Sequence, residues 1–487
     1  MSAIQIVDTT IRDANQSVWG ERMTTRMMFD IAPAMDRAGF HAIDATAMSH
    51  FEYAVRYLRE NPFARMKRLS QLITSAPLSK MMVGTTLNIF RYVGGPIFET
   101  WLERLVANGV SRVQFMESSN NMEDMVENCA SARKLGLQVV IPLVYTHSEI
   151  HTDEYYAEKT RDAVRLLEPD IVYLKDPGGL ITPERTRTII PAIRKNLNGT
   201  PLEFHTHCTT GLGLNCYLEA LKLGVRTFHT ASRPLANGPS QPATESFLHN
   251  ALHLGHESDL DGGALEEMAR HFAYIAETEG LPTGRPVEYD EFQFQHQCPG
   301  GVISNLKRQL EQLGALDKLD RVLHEAVAVR RDLGYPIMVT PLSQFVVTQA
   351  TINILQGERY RVIADEVIRF ALGHYGKQLR PVDPELMDRM DNLPRTKDLA
   401  KWQRTPTSID DIRKQVGAGY SNEELLLLVL VQEDDIKAMR EAAPKPTEFT
   451  RGNSPLATYL RRVLKSPNVR QFSVNRDGVR MEVRVRS

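Results

Sequence analysis

Two histidines one residue apart, His205 and His207, close the apolar run Pro201–Phe204 and are followed by Thr209-Thr210-Gly211-Leu212-Gly213. In an extended strand, residues two apart project from one face, so both imidazoles can address a single metal ion. The glycine-rich continuation turns the backbone at once and puts the pair at the carboxyl end of that strand. Asp13, in Asp8-Thr9-Thr10-Ile11-Arg12-Asp13, supplies a carboxylate that completes a mixed nitrogen and oxygen donor set suited to zinc, manganese or cobalt. A surface pair with Arg12, or a turn cap, is the plainer reading of the same aspartate. Lys175 ends a third apolar run, Ile171–Leu174. A lysine stem there projects toward the same end of the sheet. An ammonium beside a divalent cation is repelled, so Lys175 must either pair with Asp176 or Asp13, or be neutralised. Carbamylation by CO2 would turn it into an oxygen ligand.

Chemistry at strand ends requires a scaffold that gathers strand ends. The strand candidates in the first 235 residues are Ile4–Val7, Ala42–Ala45, Met81–Thr86, Arg112–Met116, Val139–Tyr145, Ile171–Leu174, Leu202–His207 and Thr227–Ala231. Between them lie segments of helical period such as Thr24–Gly39 and Tyr217–Leu223. Eight strand–helix repeats predict an α/β fold, a (β/α)8 barrel whose active site sits at the carboxyl face. From about Leu265 the pattern turns helical, with Glu266–Gly280, Val302–Leu313, Leu316–Leu333 and Ser343–Leu355 as amphipathic helices. Pro381–Pro384 reads as a linker, Leu425–Val431 as a buried helix, and Pro444–Pro455 as a flexible join. The closing stretch, Gln471–Asn475 and Val479–Val485 around Arg476-Asp477-Gly478, has the pattern of an Asp-Gly hairpin.

Composition narrows the function classes. A formal charge of −2 over 487 residues gives no electrostatic reason for nucleic-acid binding. The four cysteines (Cys129, Cys208, Cys216 and Cys298) lack metal-ligand spacing and suit a reducing compartment. The amino terminus lacks the basic and apolar regions of a signal peptide, and no apolar run approaches a bilayer span. A cytoplasmic protein is expected, with peripheral attachment to a membrane complex compatible with it.

Taken together, these segments resemble the carboxyltransferase family of biotin-dependent enzymes, which includes the carboxyltransferase domain of pyruvate carboxylase, the oxaloacetate decarboxylase alpha subunit and the transcarboxylase subunit. The residues that carry the resemblance are Asp8–Ser17, Lys175–Leu180, the His205–His207 motif with its Thr and Gly, Gly238–Glu245 and Pro299–Asn305. Asp332–Pro336 and Val339–Gln344 extend it, so that it spans roughly residues 4 to 390. The resemblance implies a barrel over 1–300, a helical domain over 301–441 completing the active-site funnel, and a linker and hairpin over 442–487 that could dock a partner. It implies a metal, zinc foremost, bound by Asp13, carbamylated Lys175, His205 and His207. Arg12 and Gln16 match residues that contact a keto-acid, Arg91 matches the arginine that takes its carboxylate, and Ser304 stands where a hydroxyl shuttles a proton to biotin. The implied activity is carboxyl transfer between carboxybiotin and an enolisable 2-keto acid such as pyruvate or oxaloacetate.

No Met-Lys-Met biotinyl hairpin follows the helical region, so the biotin is expected on a separate carrier protein, charged by a biotin carboxylase subunit, in a homo-oligomeric enzyme. Three departures bear on the acceptor: Phe98 stands roughly where the family has a tyrosine, Pro177-Gly178 replaces the usual pair, and Arg233 enters a loop that is otherwise small and neutral. All three are expected near the substrate pocket. The alternative reading is an aldol or Claisen type lyase or synthase of the related barrels. Those enzymes usually carry Arg-Asp-Gly and His-x-His-Asn-Asp where this chain has Ala14 and Cys208-Thr209.

Overall fold

The computed structural model describes residues 3–83, 86–88, 91–92, 95–402, 408–443, 471–476 and 479–484. Eight parallel strands close into a barrel: β1 Gln5–Asp8, β2 Ala42–Ala47, β3 Leu78–Val83, β4 Arg112–Met116, β5 Gln138–Val144, β6 Ile171–Asp176, β7 Leu202–Thr206 and β8 Thr227–Thr230. Closure comes from β1, which pairs β2 on one side and β8 on the other, with Asp8 level with Thr230. The register sets Lys175 beside His205 and Tyr173 beside Glu203 on β6 and β7. Alternation then decides what faces inward: Phe204 packs outward on Tyr217, with ring centroids 5.1 Å apart, while Glu203 and His205 share the opposite, inner face.

Crossover helices start where the sequence supplies caps. Asn61, Thr152 and Thr182 accept backbone N–H bonds at the starts of Pro62–Leu72, Asp153–Asp162 and Pro183–Arg194. The expected strand Met81–Thr86 begins three residues earlier, at Leu78, because Ser79 and Lys80 are buried in the sheet despite their polarity. A two-strand extension, Thr86–Asn88 and Arg91–Tyr92, follows it. The helical stretch 24–39 is two short helices, Thr25–Phe29 and Ala32–Arg37, broken at Asp30-Ile31 just before Pro33.

Beyond the barrel, helices Gly300–Gln312, Leu319–Asp332 and Leu342–Gln356 build an apolar core. Leu306 and Leu310 meet Val322, Ala326 and Val329, and Leu342, Val346 and Ala350, each set at helical spacing. The stretch Pro381–Pro384 is less a linker than a cap. Asp383 accepts from Glu385 and Leu386 at the start of helix Pro384–Asp391, and its own N–H donates to the Asp332 carbonyl at 2.7 Å. Leu425–Leu427 are buried, and their segment returns to the barrel flank, where Asn108 donates to Glu423 at 2.7 Å and Arg59 to Asp435 at 3.1 Å. By contact density the chain divides into Met1–Lys445 and Pro446–Ser487. In the latter, Gln471–Arg476 and Val479–Arg484 pair antiparallel as a hairpin; the join expected at Pro444–Pro455 lies outside the described residues. No described helix is long and apolar enough to cross a membrane.

Candidate active site and metal centre

Asp13 sits in a π-helical turn, Thr10–Ala14, directly after β1. Asp8 braces the entry to that turn by accepting from the Thr10 hydroxyl at 2.6 Å. The turn aims the Asp13 carboxylate at the end of β7. Its Oδ2 lies 3.6 Å from His205 Nε2 and 3.7 Å from Lys175 Nζ, and its Oδ1 lies 3.3 Å from His207 Nε2. All four side chains are buried. Asp13, His205 and His207 each offer a ligand atom within 4.8 Å of the others.

The hydrogen bonds give both histidines the tautomer a metal requires. His207 Nδ1 is 2.6 Å from the Pro239 carbonyl, which can only accept, so the ring proton lies on Nδ1 and Nε2 carries the lone pair. Gln241 aims its amide nitrogen at His207 Nε2 (2.9 Å) and His205 Nε2 (3.4 Å), while its Oε1 accepts from the Thr9 hydroxyl at 2.7 Å. Two imidazole lone pairs and a carboxylate thus converge on one point, a donor set that fits a divalent ion of the zinc type.

Charge is arranged to suit. Burial opposes ionisation of Asp13, but Arg12, His207 and Lys175 outweigh it and hold its carboxyl well below the usual carboxylate range. Burial, reinforced by Lys175, keeps His205 neutral by pushing its pKa well down. Lys175 is lowered to about 8, chiefly by burial and despite Asp13, so a fraction of it is a free, nucleophilic amine near neutral pH. Arg12 is tied into the scaffold: Nη1 pairs with Asp13 at 2.9 Å and Nε donates to Asp44 at 2.7 Å, while Nη2 lies beside the Asp44 carboxylate without a hydrogen-bond partner.

The loops carrying these groups are stitched together. Asp176, the last residue of β6, accepts from Leu180, Ile181 and the Thr206 hydroxyl, and its carbonyl accepts from the His207 N–H at 3.0 Å. Gly179 has φ +63°, and a Cβ there would lie 2.8 Å from the His207 carbonyl oxygen, so only glycine lets the two loops close. Gly300, at the start of helix Gly300–Gln312, is likewise pressed against Pro239, whose Cβ a side chain would meet at 2.8 Å. The helical region therefore abuts the loop whose carbonyl orients His207.

Of the residues singled out in the sequence, Asp13, Lys175, His205 and His207 come together with Arg12 behind them. Gln16 is exposed on the short helix Asn15–Trp19. Arg91 lies on the extension after β3 and Ser304 in helix Gly300–Gln312, with both side chains outside the described residues. Two residues expected near the substrate pocket have partners within the fold. Phe98 is buried in helix Pro96–Ala107 with its ring 5.8 Å from Phe115, and Arg233 is half exposed and pairs with Glu266 at 2.6 Å. Sequence reading misses Ser17, whose hydroxyl donates to Asp13 at 3.2 Å, and gives no role to Asp44 or Gln241. Asp44 has a signal: an acid inside the apolar strand Ala42–Ala47.

Comparison with known proteins agrees with this geometry. Residues 103–270 match the HMGL-like family and residues 294–467 the family described as a conserved carboxylase domain. The chain is 32% identical over 492 residues to a pyruvate carboxylase subunit of Methanocaldococcus jannaschii, covering 99% of this chain and 84% of that one. It is 30% identical over 464 residues to the 2-oxoglutarate carboxylase large subunit of Hydrogenobacter thermophilus, covering 91% and 70% respectively. The fold matches the carboxyl transferase domain of Rhizobium etli pyruvate carboxylase with a TM-score of 0.82 at 20% identity, over 91% of this chain and 79% of that domain. With a donor cluster at the mouth of a (β/α)8 barrel and full-length similarity of this order, the chain belongs to the biotin-dependent carboxyltransferases.

Proposed function

We propose that this enzyme moves a carboxyl group between carboxybiotin, presented by a separate carrier protein, and an enolisable 2-keto acid of the pyruvate and oxaloacetate type. The observation that carries the reading is the convergence of Asp13, His205 and His207, with Lys175, on one buried point. In this reading the four hold a divalent cation, zinc foremost with manganese or cobalt as substitutes. Such a cation, when bound, supplies Lewis-acid polarisation of a keto oxygen. Lys175 joins the set as a carbamate: its free amine attacks CO2, one proton leaves for solvent, and the new anionic oxygen faces the site.

The remaining roles fall to this chain's own side chains. Arg12 holds Asp13 and Asp44 in place through Nη1 and Nε, which fixes the carboxylate before substrate arrives. Gln16, exposed at the rim, contacts the keto-acid, and so does Arg12 through Nη2, the guanidinium nitrogen without a hydrogen-bond partner. Arg91 takes the acid's carboxylate, for which a guanidinium fork is the matching shape. Ser304 passes a proton between the acid's methyl carbon and the biotin nitrogen. The helical domain over 301–441 closes the funnel through which biotin enters, and the hairpin in 442–487 serves as a docking element. In the assembled enzyme a biotin carboxylase subunit charges the carrier, and copies of this chain associate.

The test is exchange of labelled carboxyl groups by the full chain with a biotinylated carrier protein and a panel of 2-keto acids. Biotin-dependent exchange with at least one acid is expected. Aldol cleavage without biotin, or no exchange with any acid, would overturn the reading.

A further inference from the structure

Below the donor cluster, inside the barrel, lies a chain of side chains that the catalytic reading leaves unused. His205 Nδ1 faces His229 Nδ1 at 3.1 Å. His229 Nε2 faces Glu203 Oε2 at 2.8 Å, and the same oxygen accepts from Arg112 Nη2 at 2.6 Å. Tyr173 lies flat on the His229 ring, 4.9 Å between centroids at 28°, and its hydroxyl donates to Gln114 at 2.8 Å. These side chains are buried, and all come from the inner faces of β4, β6, β7 and β8.

The proton positions follow from the partners. A carboxylate paired with a guanidinium only accepts, so the bond to Glu203 places the His229 proton on Nε2. The neutral ring then presents a lone pair at Nδ1. Across 3.1 Å one of two facing ring nitrogens must carry the hydrogen, and it is therefore His205 Nδ1 that donates. His205 Nε2 is left as a lone pair on the side of Asp13 and His207. Were His229 reversed or doubly protonated, His205 would carry its proton on Nε2 and could not act as a ligand. His207 gets the same orientation from a loop carbonyl, but His205 gets it from a side chain on the neighbouring strand, β8.

We infer that His229, held by Glu203 and Arg112, is a positioning residue of the metal centre that sets the tautomer and ring plane of His205. The inference rests on the metal reading above. Three variants of the full chain separate the two. In His229→Leu the acceptor is removed and the volume kept, so Zn2+ affinity, measured against a chromophoric chelator, should weaken about 10- to 100-fold. His229→Asn restores an acceptor near the Nδ1 position and should recover most of that loss. The melting temperature of the metal-free proteins should not follow the same order, which a merely structural role for His229 would require. His207→Ala removes a ligand outright and serves as the reference for lost binding. If the wild type binds Zn2+ and His229→Leu binds it within threefold, the inference fails while the metal reading stands. If affinity follows the metal-free melting temperature across the series, the inference also fails. If the wild type binds neither Zn2+, Mn2+ nor Co2+, both fall.

Discussion

The polar stack beneath the donor cluster and the helical region solve the problem of filling space in opposite ways. Leu306, Leu310, Val322, Val329, Val346 and their neighbours fill the helical core with hydrocarbon, at the spacing that any amphipathic helix displays. Beneath the donor cluster, beside an apolar patch that includes Val140 and Ile171, the barrel instead holds Arg112, Glu203, His229, Tyr173 and Gln114, linked by directed hydrogen bonds and ring stacking. A hydrocarbon core tolerates small adjustments in any direction. A hydrogen-bonded one has few permitted arrangements, and that restriction keeps the groups above it aimed.

Four substitutions press on this contrast. Asp13→Ala removes the carboxylate around which the cluster is built. Biotin-dependent carboxyl exchange should fall roughly 1,000-fold, as loss of several kcal/mol of charge stabilisation demands, and elemental analysis should show lost metal with the fold retained. Arg112→Met leaves Glu203 buried without its compensating charge, which costs about 3–5 kcal/mol in urea unfolding. Adding Glu203→Gln to that variant should recover part of the loss, since the uncompensated charge is then gone. Leu310→Ala, in the helical core, should cost about 3 kcal/mol but leave Zn2+ affinity of the folded protein unchanged, because no directed bond connects it to the site.

Lys80→Met should act in the other direction. From β3, its Nζ lies 3.5 Å from the centroid of the Phe51 ring, fully buried and without a hydrogen-bond partner. Burial pushes its pKa well down, so the folded chain binds fewer protons here than the unfolded one. Wild-type stability therefore rises with pH up to the unfolded value of 10.5. Replacement should stabilise by about 1–2 kcal/mol near neutrality, and the gain should shrink as melting curves are taken toward pH 10. A gain that does not change with pH would show that the lysine folds as a satisfied cation.

The same contrast explains what can be read in the sequence. Helices such as Val302–Leu313 and Ser343–Leu355 announce themselves by period, and the structure has Gly300–Gln312 and Leu342–Gln356 there. Strands with apolar residues on both faces, such as the expected Val139–Tyr145, are equally plain, and the structure has Gln138–Val144 there. The start of the strand around Ser79 and Lys80 escapes sequence reading because polar residues there face other protein and not water. Asp13, His205 and His207 are legible as types of donor at a telling spacing. Glu203 and His229 are not, since nothing local distinguishes a histidine that aims another histidine from one that merely fills a strand. Their partnership exists only once β7 and β8 lie side by side.

The tight seat of Gly300 against Pro239 has a practical corollary for protein engineering. Grafting a relative's C-terminal half onto this barrel would bring a foreign residue or backbone path against the 238–242 segment, and through it disturb the imidazole at 207. Successful chimeras should therefore transplant that loop along with the helices, which makes it, by sequence a piece of the barrel, an exchangeable part of the other half.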